Sequence, residues 1–143
     1  TKMRMTLFCM AIVASLPAMA LTPPIDEHDL MAQADLVIRG KVIDIKCAPN
    51  AFEQRANATV THYIATVEVN TVKKGKWPGR TIPVRFRELR YVKGFVGDAD
   101  HIFRVGERGY YYLISRGDGD WWPINWSAVI VKHTGEGPLP FCQ

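Results

Sequence analysis

The sequence lacks a long apolar segment and the short motifs that mark common catalytic sites. Its most apolar run, Met5 to Leu16, is too short for a membrane-spanning helix, which needs about 20 residues. No G-x-x-x-x-G-K-[ST] order indicates a nucleotide site, and no G-x-S-x-G order indicates a serine hydrolase. The four histidines form no zinc spacing such as H-E-x-x-H. We therefore predict no cofactor and no metal, and nothing in the sequence calls for an enzyme.

The first 20 residues have the pattern of a secretory signal peptide. Lys2 and Arg4 precede the apolar run, and Ala18 and Ala20 are small residues at the positions that a signal peptidase reads. We predict a signal peptide over residues 1–20 and a single domain over residues 21–143, located in the periplasm or secreted. Removal of Lys2 and Arg4 leaves 16 of the 18 basic residues against 14 acidic ones, so the mature domain is only mildly basic.

Cysteine is scarce, with three in the chain. Cys9 lies in the predicted leader, which leaves Cys47 and Cys142 as an even pair. In a compartment that permits oxidation, such a pair predicts a disulfide bond. The bond would close a loop of nearly the whole domain, worth about 4 kcal/mol in the chain-entropy model. The alternative is two free thiols.

Alternation of apolar and polar residues dominates the chain after a short helix. Asp26 is placed to cap a helix that runs to about Ala34. Strands are predicted from Leu36, Thr59, Thr81, Tyr110, Trp121 and Ala128, with a loop from Ala48 to about Ala58. The alternation slips after Gly40, with Ile43 and Ile45 on the face opposite Val42, which indicates a bulge. This pattern favours an all-β chain with one short helix, folded as a five- to six-stranded antiparallel OB-like barrel.

Three segments occur in the order QADLVIRGKVIDIKC, ATVEVNTVKKGKWPGRTIPVRF and FRVGERGYYYLI. In this order they resemble the secreted OB-fold superfamily that includes the tissue inhibitors of metalloproteinases and the netrin modules, and in particular its small bacterial exported relatives. The matching pieces are Val37 to Val42, Val72 to Gly75 and Phe103 to Tyr110. They are turn and core positions, so the resemblance implies a fold rather than an activity. The inhibitors bind zinc through a mature N-terminal cysteine, whereas Leu21 stands at the predicted mature N-terminus, so inhibition is not implied.

The stretch VEVNTVKKGKWPGRTIPVRF, from Val67 to Phe86, gathers cations and a tryptophan around a turn. Trp77-Pro78-Gly79 predicts a type II turn with a positive φ at Gly79. The simpler interpretation is a solvated hairpin, and the functional one is contact with an anionic surface or partner. The candidate contact residues are Lys73, Lys74, Lys76, Trp77, Arg80, Arg85 and Arg87. Cations beside aromatics also suit single-stranded nucleic acid, but export argues against that partner.

The segment DGDWWPINW has the most unusual composition in the chain. In a strand, Trp122 and Trp126 would share one face and Trp121 would lie on the other. Either these side chains fill the core, or they form an exposed shelf for a sugar ring or a partner protein.

Two clusters of oxygen and nitrogen ligands also occur in loops. Asp98, Asp100 and His101 form one, and Asp118 and Asp120 the other. Either is able to hold a hard cation weakly, but neither matches a calcium-loop pattern, and turn formation accounts for both.

The sequence therefore predicts an exported, non-catalytic binding module whose partner is another protein of the envelope or the extracellular space. The first alternative is carbohydrate or cell-wall binding through Trp121, Trp122 and Trp126. A metal-dependent hydrolase is a more distant alternative. Nucleic acid is not expected as a partner, and no membrane span is expected after cleavage of the leader.

Overall fold

The computed structural model of this chain describes residues 22–97 and 99–143. The predicted signal peptide, residues 1–20, therefore lies outside the described residues, as do Leu21 and Asp98. One helix and six strands follow in chain order: α1 Glu27–Gln33, β1 Leu36–Gln54, β2 Ala58–Lys74, β3 Thr81–Tyr91, β4 Arg108–Ser115, β5 Trp121–Pro123 and β6 Val129–His133. The prediction of a mostly β chain with one short helix is confirmed.

Five of the strands close into a ring within one sheet. β1 pairs with β2, and β2 pairs with β3, over long antiparallel stretches. β4 pairs antiparallel with β1 along one edge and with β5 and β6 along the other. A parallel pairing of Val84 with Trp121 joins β3 to β5 and completes the ring β1-β2-β3-β5-β4. The sequence predicted antiparallel pairing, and this short parallel contact is the exception.

β1 bends so that it serves both β2 and β4. Its register with β2 shifts between Arg39 and Gly40 and again between Val42 and Asp44, which confirms a bulge in this region. At Gly40 a Cβ atom would lie 2.6 Å from the Glu68 carbonyl oxygen, so the two backbones approach too closely for any other residue. The phase slip itself falls at Ile43, which is exposed, while Ile45 returns to the core. The prediction that Ile43 and Ile45 share a face was therefore wrong.

The hairpin between β1 and β2 is longer than the sequence predicted. The segment from Ala48 to Ala58 was predicted to be a loop, but β1 continues to Gln54. Pairing with β2 resumes at Phe52 after a break beyond Cys47, and Ala48 and Ala51 are buried. Small apolar side chains on an irregular strand carry no clear period, which is why the alternation failed to show this extension.

An aromatic stack fills the centre of the ring. Tyr63 stacks on Phe86, Phe86 contacts Phe103, and Phe103 stacks on Tyr111, with ring centroids 4.8 to 5.6 Å apart. Such pairs contribute about 0.5–1.5 kcal/mol each beyond their buried area. Aliphatic side chains complete this core: Leu36, Ile38, Val42, Ile45, Val67, Ile82, Val84, Leu113 and Val129.

A second, smaller core lies outside the ring under α1. Leu30 and Ala34 of the helix segment pack on Val37, Tyr112 and Ala128. The helix begins as predicted, because the Asp29 backbone N–H donates to the Asp26 carboxylate at 2.9 Å and so satisfies one free donor of the first turn.

Cys47 and Cys142 form a disulfide bond, as predicted, with their Cα atoms 5.7 Å apart. The bond fixes the C-terminal segment against β1, where Cys142 is buried and Cys47 packs on the core. In the part of the chain that the structure describes, no helix has the length and apolar character needed to cross a membrane.

Tyr112 is expected to make the free energy of unfolding decrease as pH rises above 10. Burial, and then its hydrogen bond to Glu27 at 3.1 Å, raise the pKa of Tyr112 from 10.0 to about 12. The contribution of this neutral phenol is therefore complete below pH 10 and is lost as pH rises through 12. The difference between the pKa of 10.0 in the unfolded state and about 12 in the folded state corresponds to at most about 3 kcal/mol in the free energy of unfolding.

We expect Tyr112→Phe to lose less stability than the wild type between pH 9 and pH 11, measured by urea denaturation at each pH. Tyr91→Phe serves as the control, since Tyr91 lies outside both cores. An equally steep loss in Tyr112→Phe and wild type would contradict this account.

Candidate functional site

Strand alternation places two arginines of β3 on the outer face of the ring. Val84 and Phe86 point into the core, so Arg85 and Arg87 point outward. On β5, Trp121 packs against the core while its neighbour Trp122 lies on the outer side. The predicted opposition of these two tryptophans is therefore present.

The loops that follow β3 and β4 turn this outer face into a cavity of about 220 Å³, here called the outer cavity. β3 supplies one wall, and β5 with the segment after it supplies another. The charged, aromatic and amide side chains that line the outer cavity are Arg85, Arg87, Asp100, His101, Arg116, Trp122, Asn125 and Trp126.

Two of the three arginines are paired with carboxylates. Arg87 donates to both carboxylate oxygens of Asp100, at 2.6 and 3.3 Å. This hydrogen bonding raises the pKa of Arg87, so its positive charge is secure. Arg85 Nε lies 3.1 Å from Asp120 Oδ2, close enough for an ion pair, although its N–H does not point at that oxygen.

Arg116 is the cation without a carboxylate. Its guanidinium lies over the Trp122 ring, 4.5 Å from the centroid, in a cation–π contact. Among the described residues no acidic side chain forms an ion pair with Arg116. Of the three guanidinium groups that line the outer cavity, Arg116 is thus the one without an ion-paired carboxylate among the described residues.

Three hydrogen-bond donors of the lining residues have no partner among the described residues. They are the Trp122 indole N–H, the Arg85 Nε–H and the NH2 group of the Asn125 amide. Trp122 is only 8% exposed, and the Asn125 amide oxygen is occupied by the Ser127 backbone N–H and hydroxyl. A buried donor without an acceptor costs about 1–3 kcal/mol, and these three nitrogens are enclosed by protein atoms.

A buried carboxylate supports the wall that His101 provides. Glu107 is 3% exposed, accepts a hydrogen bond from the Tyr111 hydroxyl at 3.0 Å, and lies 2.9 Å from His101 Nε2. Burial, and then the nearby Glu107 charge, raise the pKa of Tyr111, so this phenol remains a donor. The arrangement fixes the His101 ring at the edge of the outer cavity.

Trp126 forms the exposed rim. It is 39% exposed, and its indole N–H donates to the Thr22 carbonyl oxygen at 2.8 Å. The ring is therefore held in place while one face remains available to a ligand.

One lysine of the predicted basic hairpin has a structural contact, and three of its other cations are exposed. Lys74 donates to the Met31 and Ala32 carbonyl oxygens at 2.8 and 3.2 Å, so it satisfies free acceptors at the end of α1. Lys73, Lys76 and Arg80 are exposed and lie outside the outer cavity.

The turn of that hairpin also differs from the prediction. The positive φ belongs to Gly75 rather than to Gly79, so the predicted type II turn at Trp77-Pro78-Gly79 was wrong. Trp77 donates its indole N–H to the Thr81 carbonyl oxygen and packs edge-on against Trp121. Both tryptophans thus close one part of the ring and do not form an exposed shelf.

The outer cavity unites four of the predicted contact residues, Arg85, Arg87, Trp122 and Trp126, and leaves six outside: Lys73, Lys74, Lys76, Trp77, Arg80 and Trp121. Sequence reasoning missed Arg116, Asn125 and the placement of His101. Arg116 lies in the turn between β4 and β5, and the strand pairing explains its position. Ser115 pairs with Trp121, and Ile114 pairs with Trp122 on the outer face, so Arg116 is the next residue of this side to point outward.

The predicted ligand clusters are separated by ion pairs. Asp100 binds Arg87, His101 binds Glu107, and Asp98 lies outside the described residues. Asp118 accepts the Asp120 backbone N–H at 3.0 Å within the turn, which lowers the pKa of Asp118. In residues 22–97 and 99–143, the grouping close enough to share a metal ion is the exposed Asp26, His28 and Asp29, away from the outer cavity.

Comparison of this chain with protein-family models, with curated proteins and with solved structures finds no match. The chemistry of the outer cavity is therefore the basis for a functional proposal.

Proposed function

We propose that this chain is an exported binding domain, periplasmic or secreted, that recognises another protein and catalyses no reaction itself. The disulfide bond is compatible with that location, since such bonds persist in oxidising compartments. The resemblance to the netrin and metalloproteinase-inhibitor superfamily stays a prediction and adds no activity.

The observation that carries the proposal is the combination of arginine and tryptophan at one concave site. Arg116 lies over Trp122, and Trp126 stands at the rim. Arginine and tryptophan are among the residue types most enriched in the side chains that dominate protein–protein binding energies. The guanidinium over this ring offers directed hydrogen bonds to a partner.

The groups at the outer cavity suit recognition better than bond cleavage. Its carboxylate, Asp100, is engaged by Arg87, and the Glu107 carboxylate behind His101 is engaged by His101 and Tyr111. Both carboxylates thus serve as partners of neighbouring side chains, and we assign neither of them the role of a general base.

Affinity capture with variants tests the proposed site. The purified protein is used as bait in an extract of its native compartment, and bound proteins are identified by mass spectrometry. We expect a partner that wild type retains and that Arg116→Gln and Trp126→Ala lose. The matched control is Lys73→Gln/Lys76→Gln, which removes exposed charges outside the outer cavity and is expected to keep the partner.

Two results would overturn the proposal. A partner that depends on Lys73 and Lys76 and is indifferent to Arg116 would move the site to the basic hairpin. Capture of the same proteins by every variant would remove the outer cavity as the site.

Carbohydrate binding remains the second candidate, and the exposed Trp126 ring is the observation that favours it. A sugar needs an aromatic face of this kind. Binding to a glycan array that is lost in Trp126→Ala and kept in Arg116→Gln would select it over a protein partner.

A further inference from the structure

We infer that the outer cavity binds a single carboxylate group presented by an acidic segment of the partner protein. The inference rests on the proposed function and adds the chemical group that is recognised. Arg85 and Arg87 each lie beside an aspartate, whereas Arg116 has no carboxylate beside it among the described residues, so its positive charge is available to a ligand.

The ion pairs favour a singly charged ligand group. Asp120 and Asp100 already lie beside Arg85 and Arg87, so Arg116 is left to bind one carboxylate, whose two oxygens match its planar fork. A phosphate monoester also fits this fork, but it carries more negative charge, and its excess would face the two aspartates.

The size of the outer cavity also favours a small chemical group over a whole ligand. The outer cavity has a volume of about 220 Å³. Pockets that enclose whole small ligands are usually about 300–1,000 Å³. The outer cavity therefore suits the end of a side chain or of a polypeptide, while the rest of the ligand lies outside across Trp126.

Immobilised peptide libraries test this inference and separate the two sources of a carboxylate. The first library holds heptapeptides with a central glutamate, blocked ends, and random flanks without aspartate or glutamate. The second has a central glutamine and a free C-terminal carboxylate. The third has a central glutamine and both ends blocked, so it carries no carboxylate.

We expect the protein to bind members of the first or second library and to bind the third at least tenfold more weakly, because charge-assisted hydrogen bonds are lost. The library that binds identifies the source as a side chain or a chain terminus. Arg116→Gln is expected to abolish this preference, and Arg80→Gln, an exposed arginine outside the outer cavity, is expected to keep it.

Equal binding to all three libraries would overturn the inference, and so would a carboxylate preference that survives in Arg116→Gln. Tighter binding of an oligothymidylate than of any peptide would replace it with a nucleic-acid ligand. These outcomes are independent of affinity capture. A partner lost in Trp126→Ala still supports the proposed function when the glutamate and glutamine libraries bind equally.

Discussion

Replacing both Cys47 and Cys142 by alanine is expected to lower the free energy of unfolding by about 4 kcal/mol. The disulfide joins residues 95 positions apart, so its loss frees almost the whole domain in the unfolded state. Domains of this size are stable by only about 5–15 kcal/mol, so the change is a large fraction of the total. Urea denaturation of the oxidised wild type and the double variant measures it.

The same substitution is expected to release the C-terminal segment. Apart from the disulfide, Arg104 donates to the Gly137 carbonyl oxygen at 3.0 Å, and the Glu136 backbone N–H donates to the Val105 carbonyl oxygen. Leu139 packs against the core, whereas Phe141 is almost fully exposed, so few contacts hold the segment after Gly137 once the covalent bond is lost. Limited proteolysis is expected to remove residues after Gly137 faster in the variant.

Reduction provides the control for the disulfide prediction. Wild type treated with a thiol reductant is expected to reach the same denaturation midpoint as the double variant, while the variant itself is unchanged by reductant. Equal midpoints for oxidised wild type and double variant would contradict the assigned role of the bond.

Glu107→Ala is expected to lower the free energy of unfolding by about 3–5 kcal/mol, which is the second large effect. Glu107 is the one acidic side chain buried among the described residues, and its carboxylate serves both Tyr111 and His101. Its removal leaves the buried Tyr111 hydroxyl without an acceptor and creates a void beside Phe103 and the stacked rings. A stranded buried donor costs about 1–3 kcal/mol, and the packing lost at the void adds to this cost.

Glu107→Gln is the matched variant, because its amide oxygen can still accept from Tyr111 in a side chain of the same size. We expect it to lose about half as much stability as Glu107→Ala. In the Tyr111→Phe background, the loss caused by Glu107→Ala is expected to shrink, since no hydroxyl remains to be stranded. Additive losses in the double variant would show that the two groups do not depend on each other.

Local chemistry explains why much of the fold was predictable. Asp26 caps its helix, Arg85 alternates with core residues, and Cys47 had one plausible partner in Cys142; each inference needed only neighbouring residues or a count. Strand alternation likewise placed Trp121 and Trp122 on opposite faces. These properties follow from the period of two along a strand and from the composition of the chain.

The parts that failed depend on pairing between distant segments. β1 continues past Ala48 and Ala51 because it pairs with β2 on either side of them, at Cys47 and Phe52, and because the disulfide holds Cys47, while neither alanine signals a strand by itself. The sequence also did not reveal that Arg116 lies at the outer cavity without a carboxylate partner among the described residues. Arg116 meets Trp122 only through the register of β4 with β5.

Lys74 has a contact that the sequence did not reveal. It belongs to the cluster of basic residues that was predicted as a contact surface, and its ammonium group binds the carbonyl oxygens of Met31 and Ala32 in the last turn of α1. The helix lies some 40 residues earlier in the chain, so the sequence around Lys74 contains no sign of this contact.

The central claim is that ligands are recognised at the outer cavity, and the indole N–H groups of the four tryptophans report on it directly. Two-dimensional NMR of protein labelled with ¹⁵N gives one indole signal for each tryptophan. On addition of a glutamate-containing peptide selected from the first library, we predict that the Trp122 signal moves in a saturable manner and that the Trp77 signal stays in place. A saturable shift of Trp77 with Trp122 unmoved would contradict the claim and place binding at the basic hairpin.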